Sequence, residues 1–188
     1  MLVERLGRAD LSRSDNLELI SLWEEVWPQA GGSVEEKLAD AERKTEAAAE
    51  QKGDLSERIH RLHVEGRLVA VCRTFLREIQ YVDTGENTSV LALASVCTKP
   101  VERGNGFGRR VVEDAFRRLE DEGIGLSLFQ TGVPDFYRKM GCRTVSNRFL
   151  NSFADNPEAT PWWDDWAVIY PAEANWREAP VDLRGAGY

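Results

Sequence analysis

The chain has 188 residues, 42% of them hydrophobic and 30% charged, and a formal net charge of −8, the make-up of a soluble globular protein with enough length for one well-formed core. No apolar run approaches the length needed to span a bilayer, which argues against a membrane partner, and the acidic balance argues against nucleic acid as the main partner, because phosphate neutralisation needs a basic footprint. Cys72, Cys97 and Cys142 are too scattered for a disulfide framework or a CxxC site, so no metal is expected, and the charged N-terminal stretch predicts a cytoplasmic protein.

Ser14 and Asp15 start a first predicted helix, with apolar residues at Leu17, Ile20, Leu22, Trp23 and Val26 before Pro28 stops it. Ser33 with Glu36 three residues on is a capping box, and a second helix runs from there towards Gly53, charged almost all round and so mostly exposed. From Arg58 the period changes to that of two strands joined by a turn at Glu65 and Gly66. "TSVLALASVCTKP" is an apolar stretch of the kind buried on both faces of a sheet, and it predicts the central strand. "RRVVEDAFRRLEDEG" follows, a helix with Val111, Val112, Ala115, Phe116 and Leu119 on one face and Gly123 as its stop. A short strand, "IGLSLFQ", and a helix entered through Pro134 come next, then strand-like "CRTVSNRFL" and "WAVIYP". This order predicts an α/β (α+β) fold, one domain over residues 1–188, with a central mixed β-sheet flanked by helices.

Between the central strand and its helix lies "RGNGFGRR", with glycine at positions 104, 106 and 108. Glycine costs stability inside regular structure, so this cluster implies a backbone that bends sharply or is approached closely. A strand, a glycine turn and a helix N-terminus together make an anion site from unpaired N–H groups and the helix dipole. The pattern is not a Walker A loop, since Gly108 is followed by Arg109 and Arg110 rather than by Lys and Ser or Thr. Nor is it a dinucleotide fingerprint, which would need glycine at position 109.

The run Arg103, Gly104, Asn105, Gly106, Phe107, Gly108 fits Arg/Gln-x-x-Gly-x-Gly/Ala and resembles the acetyl coenzyme A (acetyl-CoA) pyrophosphate loop of the GNAT N-acetyltransferase superfamily. "SVCTKPVERGNGFG" is similar to that family's fourth strand and following turn, and "FYRKMGC" to its Tyr-x-x-x-Gly-Phe, with Cys142 in place of Phe. The resemblance implies a GNAT fold, acetyl-CoA as cosubstrate and transfer of the acetyl group directly to a primary amine of a small acceptor, a cationic one among the candidates, with a homodimer left open. It implies that the main chain from Arg103 to Gly108 holds the pyrophosphate, with Arg109 within reach of the phosphates. Val96 and Thr98 occupy the positions whose main chain pairs with the acetyl carbonyl and the pantetheine arm. Tyr137 matches the usual general acid, a phenol of proton affinity comparable to that of the leaving thiolate.

The family's central-strand glutamate has no counterpart, and Ser95 stands in that neighbourhood. Candidates for a base are therefore Asp83, Glu86, His60, His63, Asp164 and Asp165, or solution itself at mildly alkaline pH. Trp162, Trp163, Trp166 and Trp176 with the two aspartates read either as an aromatic, acidic acceptor wall or as packing for the last strand. Two other readings stay beside the transferase: an acyl-CoA-binding module with little turnover, and a longer-chain acyltransferase.

Overall fold

The computed structural model describes residues 2–28, 31–51 and 56–188. The strands follow the hydrogen-bonded order β1-β2-β3-β4-β5-β8-β6 in one mixed sheet, with β9 beside β3 and β7. Their ranges are β1 Val3–Gly7, β2 Arg58–Val64, β3 Arg67–Tyr81, β4 Glu86–Thr98, β5 Ser127–Thr131, β6 Arg143–Val145, β7 Phe149–Leu150, β8 Trp166–Tyr170 and β9 Val181–Asp182. The helices are α1 Arg13–Val26, α2 Val34–Ala49, α3 Phe107–Glu122 and α4 Pro134–Arg138. The chain divides into two compact units, one of Met1–Phe75 with Ser95–Ala115, the other of Leu76–Ala94 with Phe116–Tyr188.

In the first unit, α1 starts before Ser14, at Arg13: Ser12 is the cap, its hydroxyl accepting from the Asp15 N–H at 3.1 Å while the Asp15 carboxylate accepts the Ser12 N–H at 2.8 Å. That reciprocal pair satisfies two donors left over by the helix geometry. Leu19 and Leu22 of α1 then pack with Leu11, Ile59, Leu68, Val71 and Cys97 into a buried cluster. Ser33 and Glu36 form the expected box at the start of α2, which ends at Ala49, and the expected end at Gly53 lies outside the described residues. Only Leu38 and Ala48 of α2 are buried, as its all-round charge predicts. Glu65 and Gly66 both adopt positive φ, 50° and 74°, the backbone of a tight primed turn between β2 and β3. β1 has no forerunner in the sequence reading; it pairs antiparallel with β2 from Val3 opposite Leu62 to Gly7 opposite Arg58.

A polar tie crosses this unit. Arg8, 6% exposed, donates to both carboxylate oxygens of Glu57 at 2.6 and 3.2 Å, and burial, which raises the Glu57 carboxyl, is outweighed by Arg8 and Arg73, which hold it below its ordinary value.

In the second unit, β4 pairs parallel with β5 in the register Leu91 opposite Ser127, and the Ser127 hydroxyl donates to the Leu91 carbonyl at 2.7 Å. β5 continues antiparallel to β8, and β8 to β6. Val90 to Ala94 are all buried, as an unbroken apolar run predicts. "CRTVSNRFL" splits into β6 and β7 because Asn147 turns away to hold the carbonyls of Arg177 and Ala179, each at 2.7 Å. The tail packs by its last side chain: the Tyr188 ring is buried, its hydroxyl donating to the Leu128 carbonyl at 2.9 Å and its face covered by Arg77.

Candidate active site

β4 reaches Thr98, the chain turns through a short 3-10 segment at Pro100–Glu102, and α3 begins at Phe107. Gly104 and Gly106 have φ of +88° and +77°, in the left-handed region where a side chain costs about 1–2 kcal/mol. A Cβ built at either position meets no atom within 4 Å, so the backbone is glycine-dependent while the space above it is open. The Gly106 carbonyl accepts the Arg110 N–H at 3.2 Å and so opens the helical ladder. The N–H groups of Phe107, Gly108 and Arg109 then lie in the first turn, where a helix offers them no partner. No acidic residue stands in that turn, and the helix dipole adds about half a positive charge there.

Around this turn Arg103, Arg109 and Arg110 are exposed. Arg109 is held by Glu113 at 2.6 Å, one helical turn on. Asn105 donates its side-chain amide to the Glu102 carbonyl at 3.2 Å and, at 3.4 Å, to the Glu102 carboxylate, which closes the loop on itself. The arrangement fits a diphosphate: unpartnered first-turn N–H groups, exposed arginines around them and no acidic residue in the first turn of α3.

The end of β4 belongs to the same unit as the loop. Val96 and Thr98 are half-buried, and between them the Cys97 thiol is buried, which pushes it up to about 12. Just before them Ser95 has φ +52°, a left-handed residue inside a strand. Ser95 also lines a cavity of about 320 Å³ whose other walls include Trp23 of α1, Trp27 just past its end, Lys44 of α2 and Arg73 of β3. In the sequence Trp23 is one of the apolar residues of the first amphipathic helix, and nothing marks Arg73. Side chains from positions 23, 73 and 95 carry no spacing signal, and only the fold collects them.

An acetyltransferase (GNAT) domain model matches residues 9–145, most of the chain and the whole stretch from α1 through β6. The chain belongs to the GNAT acetyltransferase family. Among curated proteins no sequence match is found. Solved GNAT-type structures share the fold at low identity. Glucosamine-6-phosphate N-acetyltransferase from Arabidopsis thaliana superposes with a TM-score of 0.57 at 18% identity, over 82% of this chain and all of that one. An acetyltransferase from Trypanosoma brucei gives 0.56 at 18% identity, over 78% of this chain and 96% of that one. A GCN5-related N-acetyltransferase from Kribbella flavida gives 0.57 at 17% identity over 76% of this chain, which spans about 33% of that longer protein.

The tyrosine that the sequence resemblance singles out falls in the second unit. Tyr137 lies on α4, opened by Pro134 in its first turn, and is 5% exposed. Its ring packs 4.7 Å from the Phe129 ring and 4.9 Å, edge-on, from the Phe136 ring. Its carbonyl accepts the N–H groups of Met140 and Cys142, which bends the chain through Gly141. Cys142, standing where the GNAT motif has an aromatic residue, is buried, and burial pushes its thiol up to about 12. Cys72 is raised further by the same cause, so none of the three thiols is an activated nucleophile.

The candidate bases are mostly engaged. His60 is fully buried, with Asp114 and Thr74 on its two ring nitrogens. His63 meets Glu18 at 3.1 Å, and Asp83 accepts from Arg177 at 2.8 Å, with Glu86 at 4.0 Å from the same side chain. Burial and the neighbouring Asp165 raise the Asp164 carboxyl. The four C-terminal tryptophans separate. Trp162 and Trp176 are buried, packed on Phe149 and Tyr188 and on Tyr81 respectively, while Trp163 and Trp166 are exposed. Of the two readings given to these tryptophans, packing describes Trp162 and Trp176 and leaves the two exposed ones open to the other. Among the described residues no group of His, Cys, Asp and Glu is placed to hold a metal ion, and no helix is long and apolar enough to cross a membrane.

Proposed function

We propose that this GNAT chain transfers the acetyl group of acetyl-CoA to a primary amine of a small acceptor, directly and without a covalent enzyme intermediate. The observation that carries the reading is the glycine-shaped turn at the α3 N-terminus, with Gly104 and Gly106 at positive φ and no acidic residue in the first helical turn. The main chain of Arg103, Gly104, Asn105, Gly106, Phe107 and Gly108 would hold the pyrophosphate, with Arg109 beside it. The main chain at Val96 and Thr98 would take the acetyl carbonyl and the pantetheine arm.

In the reaction the amine nitrogen attacks the thioester carbonyl, a C–N bond forms and the C–S bond breaks. The nitrogen gives up one proton and the departing sulfur takes one up. Tyr137 is the donor in this reading, its phenol matched in proton affinity to a thiolate. Direct transfer is supported by the three buried, raised thiols, none of which suits a covalent relay.

One observation favours a second reading, an acyl-CoA-binding module with little turnover: beyond Glu86, β4 carries no carboxylate to serve as a base. Thermal unfolding with acetyl-CoA, NAD and ATP run side by side tests the shared premise. A ligand at 100 times its dissociation constant adds about 2.7 kcal/mol and raises the midpoint by a few degrees. A shift with acetyl-CoA alone, followed by thiol release when amines are added, is the expected result. A shift without thiol release from any amine selects the binding module.

A further inference from the structure

The cavity beside Ser95 has an unusual charge balance for an acidic chain. Arg8, Lys37, Lys44 and Arg73 line it, against only two lining carboxylates, Glu24 and Asp40. The lysines are matched: Lys37 pairs with Glu24, and Lys44 meets Asp40 at 2.6 Å. Arg8 is matched too, its two contacts of 2.6 and 3.2 Å taking both oxygens of Glu57. Arg73 is the surplus cation. It reaches Glu57 only at 3.5 Å, and its Nε–H, buried, has no hydrogen-bond partner among the described residues. Its side chain keeps 31% of its surface accessible, with the guanidinium 5.3 Å from the centre of the Phe75 ring.

The remaining walls are of another kind. Ile20, Ala41, Trp23 and Trp27 supply apolar and aromatic surface, and the buried indole N–H of Trp23 has no hydrogen-bond partner among the described residues. The accessible feature of the Arg73 side chain is its planar guanidinium, which matches a carboxylate. A volume near 320 Å³ is at the lower end of the range for small-molecule sites, about 300–1,000 Å³, the scale of a single amino acid rather than of a long polyamine or an oligosaccharide.

We infer that this cavity is the acceptor subsite and that it takes an amine carrying a carboxylate and an aromatic ring, an aromatic amino acid in size and chemistry. The carboxylate sits on Arg73, the ring lies against Trp23 and Trp27, and the amine points along Ser95 towards the β4 main chain at Val96. This deepens the transferase reading and rests on it only for the fate of the amine. A cationic acceptor, which the acidic composition alone would favour, is disfavoured here because it would set its charge against Arg73.

The test compares phenylalanine, tyrosine and tryptophan with phenethylamine, tyramine and tryptamine, which keep the ring and the amine and lack the carboxylate. Spermidine serves as the polycation. For the wild-type protein with acetyl-CoA, kcat/KM is expected to be at least 10-fold higher for one amino acid than for its decarboxylated partner, about what a hydrogen bond to a charged group supplies. In Arg73→Gln that preference disappears through KM, while acetyl-CoA affinity is unchanged; Arg73→Lys, which keeps charge without the fork, recovers part of it. Calorimetric binding of the same compounds separates the two readings. Binding of an amino acid that weakens in Arg73→Gln, without turnover, supports the subsite and removes the transferase. Equal kcat/KM across the pairs, spermidine as the better substrate, or no binding of any of the three amino acids overturns the subsite. The wild-type comparison decides the matter even if the Arg73 variants fold poorly.

Discussion

His60 and Asp114 meet at 2.7 Å, imidazole Nδ1 to carboxylate Oδ2, with the Thr74 hydroxyl 2.9 Å from the other ring nitrogen. Carboxylate, imidazole and hydroxyl are in the order that activates a nucleophile in an open cleft. Here His60 is 0% and Asp114 8% exposed, so the line of three is a structural tie joining β2, β3 and the first half of α3. Asp114 also accepts from Arg5 at 3.3 Å. Removing the carboxylate leaves a buried imidazole and a partly buried guanidinium without it. Asp114→Ala is expected to lower stability by about 3–5 kcal/mol in urea unfolding, with Thr74→Val costing about 1–3 kcal/mol. Unchanged midpoints for both would mean the tie carries no stability.

Acid should find the same place. Burial raises the Asp114 carboxyl, but His60 and Arg5 outweigh it and hold it below its ordinary value of 3.8. Glu57 is likewise held below its ordinary 4.5 by Arg8 and Arg73 against burial. For depressed carboxyls the stabilisation is fully present above the unfolded-state values and is lost as pH falls through the folded ones. Unfolding free energy should therefore be flat on this account above about pH 5 and fall steeply below about pH 4. Asp114→Asn, measured over the same range, should flatten part of that slope.

Gly106 gives a test in which fold and binding come apart. Its φ of +77° makes Gly106→Val strained by about 1–2 kcal/mol, yet the new Cβ meets nothing within 4 Å. The variant is expected to fold with a modestly lower midpoint and to lose acetyl-CoA affinity at least 10-fold, since the open space is where the diphosphate would approach the main chain. Calorimetry with acetyl-CoA reads this directly, and full affinity in a folded Gly106→Val would remove the loop from the site.

Tyr137 separates chemistry from packing. Its ring fills space between Phe129 and Phe136, and Tyr137→Phe keeps that ring. As a general acid it contributes on the order of 10²-fold to turnover, so kcat should fall by that factor with the acetyl-CoA dissociation constant unchanged. Tyr137→Ala should instead lower the thermal midpoint as well, through the cavity it leaves. Equal kcat in Tyr137→Phe and wild type would assign the proton to another donor.

Much of this architecture was legible because it is written in local signals. The Ser33–Glu36 box, the Glu65–Gly66 turn, the apolar run of β4, Pro134 at the head of α4 and the glycines before α3 each act within a few residues. β1 was not legible: "VERLG" is short and only partly alternating, and it becomes a strand because β2 offers it an edge. β9 has two residues and is defined by its partners on β3 and β7. The glycine loop shared this locality, whereas Arg73 and Trp23 did not. Their meeting depends on which way β3 and α1 face, and that is settled by the packing of Leu19, Leu22, Val71 and Cys97 rather than by any run of residues around them.

Ser95 limits what evolution or a designer can do at the cavity. With φ at +52° near the end of β4, the position takes glycine, asparagine or aspartate most readily and a β-branched side chain only at real cost. Trimming the proposed acceptor cavity there with valine, isoleucine or threonine is therefore opposed by the backbone. On the proposed subsite, acceptor range is better tuned at half-buried Ala41 of α2 and at exposed Trp27, just past α1, than at Ser95 or at Ile20, which is 2% exposed and part of the core. A library built on those two positions and leaving Ser95 and Ile20 alone is the one that should yield folded variants with new acceptors.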